Sequence, residues 1–118
     1  MDDVSIDFDP RDGATVVKLG GEIDMANVDD VSRRLLRVPH EADSLILDLE
    51  HLRYIDSAGI RMLFELSEQL ARDGTRLVLA VAVDAPVRRV LSITRLDTLV
   101  PIRDDVVTAV EAAEGLRS

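Results

Sequence analysis

The chain has no cysteine and no tryptophan, and its only aromatic residues are Phe8, Tyr54 and Phe64. Each scarcity closes a class of function. Without cysteine there is no disulfide framework and no thiol chemistry, which fits a cytosolic protein. Nucleic-acid binding needs a basic surface and stacking aromatics. Here the net charge is −9 and aromatics are 3% of residues, so a nucleic-acid partner is not expected. No apolar run approaches the ~20 residues of a membrane span, so no direct membrane insertion is expected. Met1-Asp2-Asp3 has neither the basic nor the apolar region of a signal peptide. The expectation is a soluble cytoplasmic protein. Lysine is nearly absent too: Lys18 is the only one among fourteen basic residues. Arginine's planar fork suits fixed ion pairs.

What is present is a core. Hydrophobic residues make up 47% of 118 residues, enough for one domain spanning 1–118. Val4 to Phe8 alternates like a half-buried strand. Asp9-Pro10-Arg11-Asp12-Gly13 reads as a turn, and Ala14 to Leu19 as the return strand of a hairpin. Gly20-Gly21 is expected to break that strand. Asp24 is placed as the N-cap of a helix from Met25 to Val38, with Val28, Val31, Leu35 and Val38 on one face. Leu45 to Leu49 is a strand covered on both faces. A tight Leu52-Arg53 turn is expected after His51. A helix follows to Asp73, with Ile60, Leu63, Phe64, Leu70 and Ala71 inward, Met62 and Leu66 widening the stripe, and Gly74 ending it. Leu77 to Val81 is another buried strand, and Pro86 opens a helix to about Thr94. A short strand is expected over Thr98 to Ile102. The last helix spans Asp104 to Ala113, capped by Asp104 or Asp105, with Val106, Val107 and Val110 inward. The order β-β-α-β-α-β-α-β-α is α/β: a mixed, mostly parallel sheet with an N-terminal hairpin.

The chemistry concentrates at Ile55-Asp56-Ser57-Ala58-Gly59, where a strand hands over to a helix. Four roles compete for Ser57. It can cap the helix through its hydroxyl, and Asp56 could do the same; Ile60, three residues after Ser57, is not the Glu or Gln of a capping box. It can be a hydrolase nucleophile, but the first glycine of G-x-S-x-G is missing. The only histidines, His40 and His51, are not obviously aimed at it. An aspartyl-phosphate receiver centred on Asp48 would need a lysine near the last strand, and Lys18 lies in the second. The fourth role is a phosphorylated switch. Phosphate adds about −1.5 to −2 charge at pH 7, which a helix start tolerates. Burying that charge unpaired in an interface costs on the order of 2–5 kcal/mol. The fold would survive and the complex would not. Gly59 in the first turn suggests that something approaches the backbone closely.

Gly21-Glu22-Ile23-Asp24, together with Leu47-Asp48-Leu49 and Ile55-Asp56-Ser57-Ala58-Gly59-Ile60, resembles the paired motifs of the STAS domain family. Within that family the resemblance is to the bacterial anti-sigma factor antagonists. The likeness covers nearly the whole chain. It implies a binding module rather than an enzyme, with no cofactor and no metal. Its implied partners are an anti-sigma factor serine kinase, which phosphorylates the residue aligned with Ser57, and a phosphatase that resets it. The implied contact surface comprises Glu22, Asp24, Met25, Asp56, Ser57, Ala58, Gly59, Arg61 and Met62. Ala58 stands where some relatives carry a second hydroxyl, leaving Ser57 the sole acceptor of the motif. The same resemblance admits a second role, as scaffold or regulatory subunit of a stressosome-like or membrane-transporter assembly.

Overall fold

A computed structural model describes residues 4–11, 14–37 and 43–116, with side chains at all of these positions except 11, 115 and 116. Val38, Pro39, His40, Asp12 and Gly13, all invoked above, lie outside the described residues. Five strands form one sheet in the spatial order of the chain: β1 (Ser5–Arg11), β2 (Ala14–Ile23), β3 (Ser44–Ile55), β4 (Arg76–Ala80) and β5 (Ile102–Arg103). The β1–β2 pair is antiparallel, and β2 through β5 are mutually parallel. The helices are α1 (Val28–Leu36), α2 (Ser57–Arg72), α3 (Pro86–Ile93) and α4 (Val106–Leu116). The expected order of strands and helices is the one observed, with a 3-10 turn, Leu96–Thr98, added before β5.

The sheet separates two cores of unequal grain. Strand residues such as Val17, Leu47 and Leu79 pack with Val31 and Leu35 of α1, Leu63 and Leu70 of α2, and Leu91 of α3. On the other face Val16, Ile46 and Val78 meet Ala109 and Ala113 of α4. A strand sends successive side chains to opposite faces, so the apolar runs of β3 and β4 feed both layers. Leucines fill the space under three helices, and alanines let α4 lie close to the sheet.

Several local expectations are corrected. β1 continues through Asp9 and Pro10 to Arg11, where a turn was expected. It is an edge strand, and an edge tolerates proline because a missing N–H breaks no bond on its open side. The Gly20-Gly21 pair does not end β2. Register shifts fall between Lys18 and Gly20 and between Gly21 and Glu22, and Gly21 takes φ 99°. The extra residues lie in β3, which bulges opposite the glycines, and Gly21's positive φ lets β2 follow it instead of breaking. β3 likewise does not turn at Leu52 and Arg53: Leu52 pairs with Gly21 and Tyr54 with Glu22, which leaves Arg53 as a bulged residue within the strand.

Helix α1 starts at Val28, later than expected. Only the pair Ile102–Arg103 joins the sheet as β5, since the Thr98 hydroxyl donates to the Arg95 carbonyl (2.7 Å) and holds a turn there. In α4 the buried residues are Ala109 and Ala113, while Val107 is exposed. Ala71 of α2 is exposed as well. Pro86 opens α3 as expected, and Gly74 follows α2 with φ 81°.

Candidate functional site

Strands β2 and β3 stay paired to their ends across the two register shifts, and there Ile23 pairs with Ile55. The Asp56 amide then donates to the Ile23 carbonyl (3.2 Å). This pairing brings the loop after β2, carrying Asp24 and Met25, beside the start of α2. Two bulges in β3 make that meeting possible, because they absorb its extra residues opposite β2.

Asp56, not Ser57, caps α2. Its Oδ1 accepts the amides of Ala58 (2.9 Å) and Gly59 (3.1 Å). Its Oδ2 reaches across and accepts the amide of Met25 (3.2 Å). One carboxylate therefore satisfies two orphan donors of the helix start and also ties down a loop from another strand.

The loop is folded on itself. Asp24 Oδ1 accepts the amides of Ala26 (2.9 Å) and Asn27 (3.2 Å), while the Asp24 amide donates to Asn27 Oδ1 (3.0 Å). Asn27 Nδ2 donates to the Glu22 carbonyl (2.8 Å). Asp24 thus caps a turn ahead of α1 rather than α1 itself. Asn27 is a site residue that the sequence reading passed over, although the Asp-x-x-Asn spacing is a signal for reciprocal Asx bonding.

With the cap filled by its neighbour, Ser57 occupies the first helical position with its side chain exposed. Its hydroxyl makes no hydrogen bond to another described residue. Around it lie Met25, 79% exposed, and the exposed Arg61. Glu22 and Arg53 form an ion pair at 3.8 Å, which at this exposure contributes little to stability. Tyr54 is also half exposed.

Two expected contact residues are almost wholly buried. Met62 is 5% exposed and belongs to the large core. Gly59 is buried, and a Cβ there would lie 2.4 Å from Ile55 Cγ1 and 3.0 Å from Ile23 Cγ2. The close approach that a glycine at this position implied is real, but it comes from the protein's own core. The site residues at the surface are Glu22, Asp24, Met25, Asp56, Ser57, Ala58 and Arg61, of which Glu22, Asp24, Asp56 and Ala58 are half-buried.

The geometry does not assemble a hydrolase. His51 sits on β3, four residue steps before Ile55 along the strand, about 13 Å. Asp48 is buried within β3, and its Oδ1 accepts the Glu50 amide (3.0 Å). Among the described residues no group of three or more potential ligating side chains is placed to hold a metal ion. No helix among them is long and apolar enough to cross a membrane.

The STAS domain profile matches residues 5–109 of this chain. The chain belongs to the STAS domain family. Osmosensory protein A of Mycobacterium tuberculosis is 36% identical over 69 residues, covering 58% of this chain and 44% of that protein. The match thus spans less than half of that relative's length. The anti-sigma F factor antagonist of Paenibacillus polymyxa is 25% identical over 113 residues, 94% of this chain and 96% of the relative. The crystal structure of an anti-sigma factor antagonist from Mycobacterium paratuberculosis superposes with a TM-score of 0.84 at 24% identity, over 96% of each chain. This STAS domain thus shares the fold of that protein over nearly its whole length.

Proposed function

We propose that this STAS domain is an anti-sigma factor antagonist whose binding is switched by phosphorylation of Ser57. Unphosphorylated, it binds an anti-sigma factor that is a serine kinase and so frees a sigma factor. Phosphate on Ser57 ends the complex, and a phosphatase restores it. The observation that carries this reading is the division of labour at the start of α2. Asp56 performs the capping, so the exposed Ser57 hydroxyl has no structural bond to lose. The full-length likeness to a protein named an anti-sigma F factor antagonist supports the same reading.

The energetics follow from that division. A phosphate on Ser57 displaces no hydrogen bond, so the fold is unaffected. It places about −1.5 to −2 charge beside the Asp56 carboxylate, on a surface already acidic at Glu22 and Asp24. A partner docked there would have to bury that charge, at a cost on the order of 2–5 kcal/mol, which is roughly thirtyfold or more in affinity. Exposed Met25, an adaptable side chain next to Ser57, supplies apolar contact area for the unmodified complex.

The test is to incubate the protein with candidate anti-sigma kinases and Mg-ATP and to map phosphate by mass spectrometry. Phosphate on Ser57 is expected. Phosphate elsewhere, or none with any candidate, sinks the switch. In binding assays Ser57→Ala should hold the partner in the presence of ATP, and Ser57→Asp should bind it poorly.

A further inference from the structure

A phosphate on Ser57 would have few places to find counter-charge. The helix-start donors of Ala58 and Gly59 are taken by Asp56 Oδ1, and Asp56 Oδ2 holds the Met25 amide. The carboxylate next door repels a second anion. Arg61 is the only basic residue in the first three turns of α2. It lies four positions after Ser57, on the same face, with Cβ atoms about 5–6 Å apart. Helical side chains lean toward the N-terminus, so Arg61 leans toward Ser57. An anion placed one turn before a cation is also the favourable order along a helix.

Arg61 is exposed and lines a groove between α1 and α2. Arg33, Arg34, Arg53 and Arg88 all form ion pairs, and Arg61 forms none among the described residues. Two carboxylates border the same groove, Asp29 from α1 and Glu65 one turn further along α2. Neither lies within ion-pair distance of the guanidinium. A cation among singly charged competitors that hold it weakly is free to turn to a dianion.

We infer that Arg61 is the intramolecular clamp for a phosphate on Ser57; the inference rests on the reading of Ser57 as the modified residue. The guanidinium fork donates to the phosphate oxygens across one helical turn, in the bidentate manner arginine favours. Phosphorylation then does two things to one surface. It adds an anion, and it withdraws the one basic side chain of the first three turns of α2 from any acidic group of a partner.

The experiment installs phosphoserine at position 57 during translation and follows the phosphate by phosphorus NMR as pH is varied. The second ionisation should occur about 0.4 pH units lower in the Arg61 protein than in Arg61→Gln, because the clamp favours the dianion. Arg61→Lys should recover part of the difference, since it restores charge without the fork. Asp56, Asp29 and Glu65 border the same space in both proteins, so the difference between the two titrations reports Arg61. Identical titrations in the parent and Arg61→Gln overturn the clamp. Unchanged melting temperatures of the unmodified variants confirm that the comparison is between folded proteins. The phosphoserine arrives without a kinase. Failure of every kinase to modify Ser57 would therefore sink the proposed switch and leave this titration readable.

Discussion

Helices α2 and α4 both begin on an aspartate, Asp56 and Asp105. At α4 the cap is closed on its own turn. Asp105 Oδ1 accepts the Thr108 amide (2.8 Å) and the Thr108 hydroxyl (2.9 Å). Those two bonds, the amide first, hold the Asp105 carboxyl below the usual carboxylate range. At α2 the third position after the cap is Gly59, which has no side chain to return a bond. Asp56 spends its second oxygen on Met25, thirty-one residues away in the chain. The local cap only starts a helix. The long-range cap starts a helix, fixes a neighbouring loop and frees the next residue, Ser57, for another use. A helix start that is over-determined by tertiary contacts can carry a modifiable hydroxyl at no structural cost.

The sharpest way to break this contrast is at Gly59. Gly59→Val should cost about 3 kcal/mol in urea denaturation, because its Cβ would meet Ile55 and Ile23 well inside contact distance. Adding Ile55→Ala should recover part of the loss. Wild-type stability in the single variant would show that α2 is not pressed against β2 and β3.

Next in size is Asp56→Ala, expected to cost about 2 kcal/mol through loss of the cap and of the Met25 bond. Its particular signature is faster hydrogen exchange at Met25 as well as at Ala58 and Gly59. Asp105→Ala should accelerate exchange only within the first turn of α4. Equal, purely local effects would erase the difference between the two caps.

A smaller effect concerns acid. Asp105's lowered pKa means that its bonds to Thr108 stabilise the fold above the ordinary carboxylate range, where the group is ionised in both states. That contribution disappears as pH falls through the lowered folded-state value. Thr108→Val keeps the amide and removes the hydroxyl, so the Asp105 carboxyl should titrate partway back toward the ordinary range by NMR. An unchanged titration would assign the whole shift to the backbone bond.

The smallest expected change is the most telling for the site. Ser57→Ala should alter stability by less than about 0.5 kcal/mol, measured by thermal or chemical denaturation. A larger loss would mean that the hydroxyl is structural after all.

Much of the architecture was legible because hydrophobic period is a local property. The runs Leu45 to Leu49 and Leu77 to Val81 could only be buried strands between helices, and Pro86 and Gly74 marked helix ends through their own backbone preferences. The misreadings fall where two chemistries compete for one stretch. Pro10 signals a turn, yet an edge strand accepts it. Gly20-Gly21 signals a break, yet β2 continues because its neighbour β3 bulges opposite the pair. Val107 has the greasier side chain, yet the close contact between α4 and the sheet selects Ala109 and Ala113.

At the candidate site, the sequence by itself determined that a serine follows an aspartate where a strand meets a helix, with Arg61 one turn later. Covalent order and helical spacing suffice for that. Only the tertiary structure decided which of Asp56 and Ser57 caps the helix, since the decision depends on Met25 arriving from the β2 loop. Gly59's role was settled by Ile55 and Ile23 packing against it, and Met62's by the core beneath α2. Spacing along a chain sets which side chains share a face; what that face meets depends on segments far away in sequence.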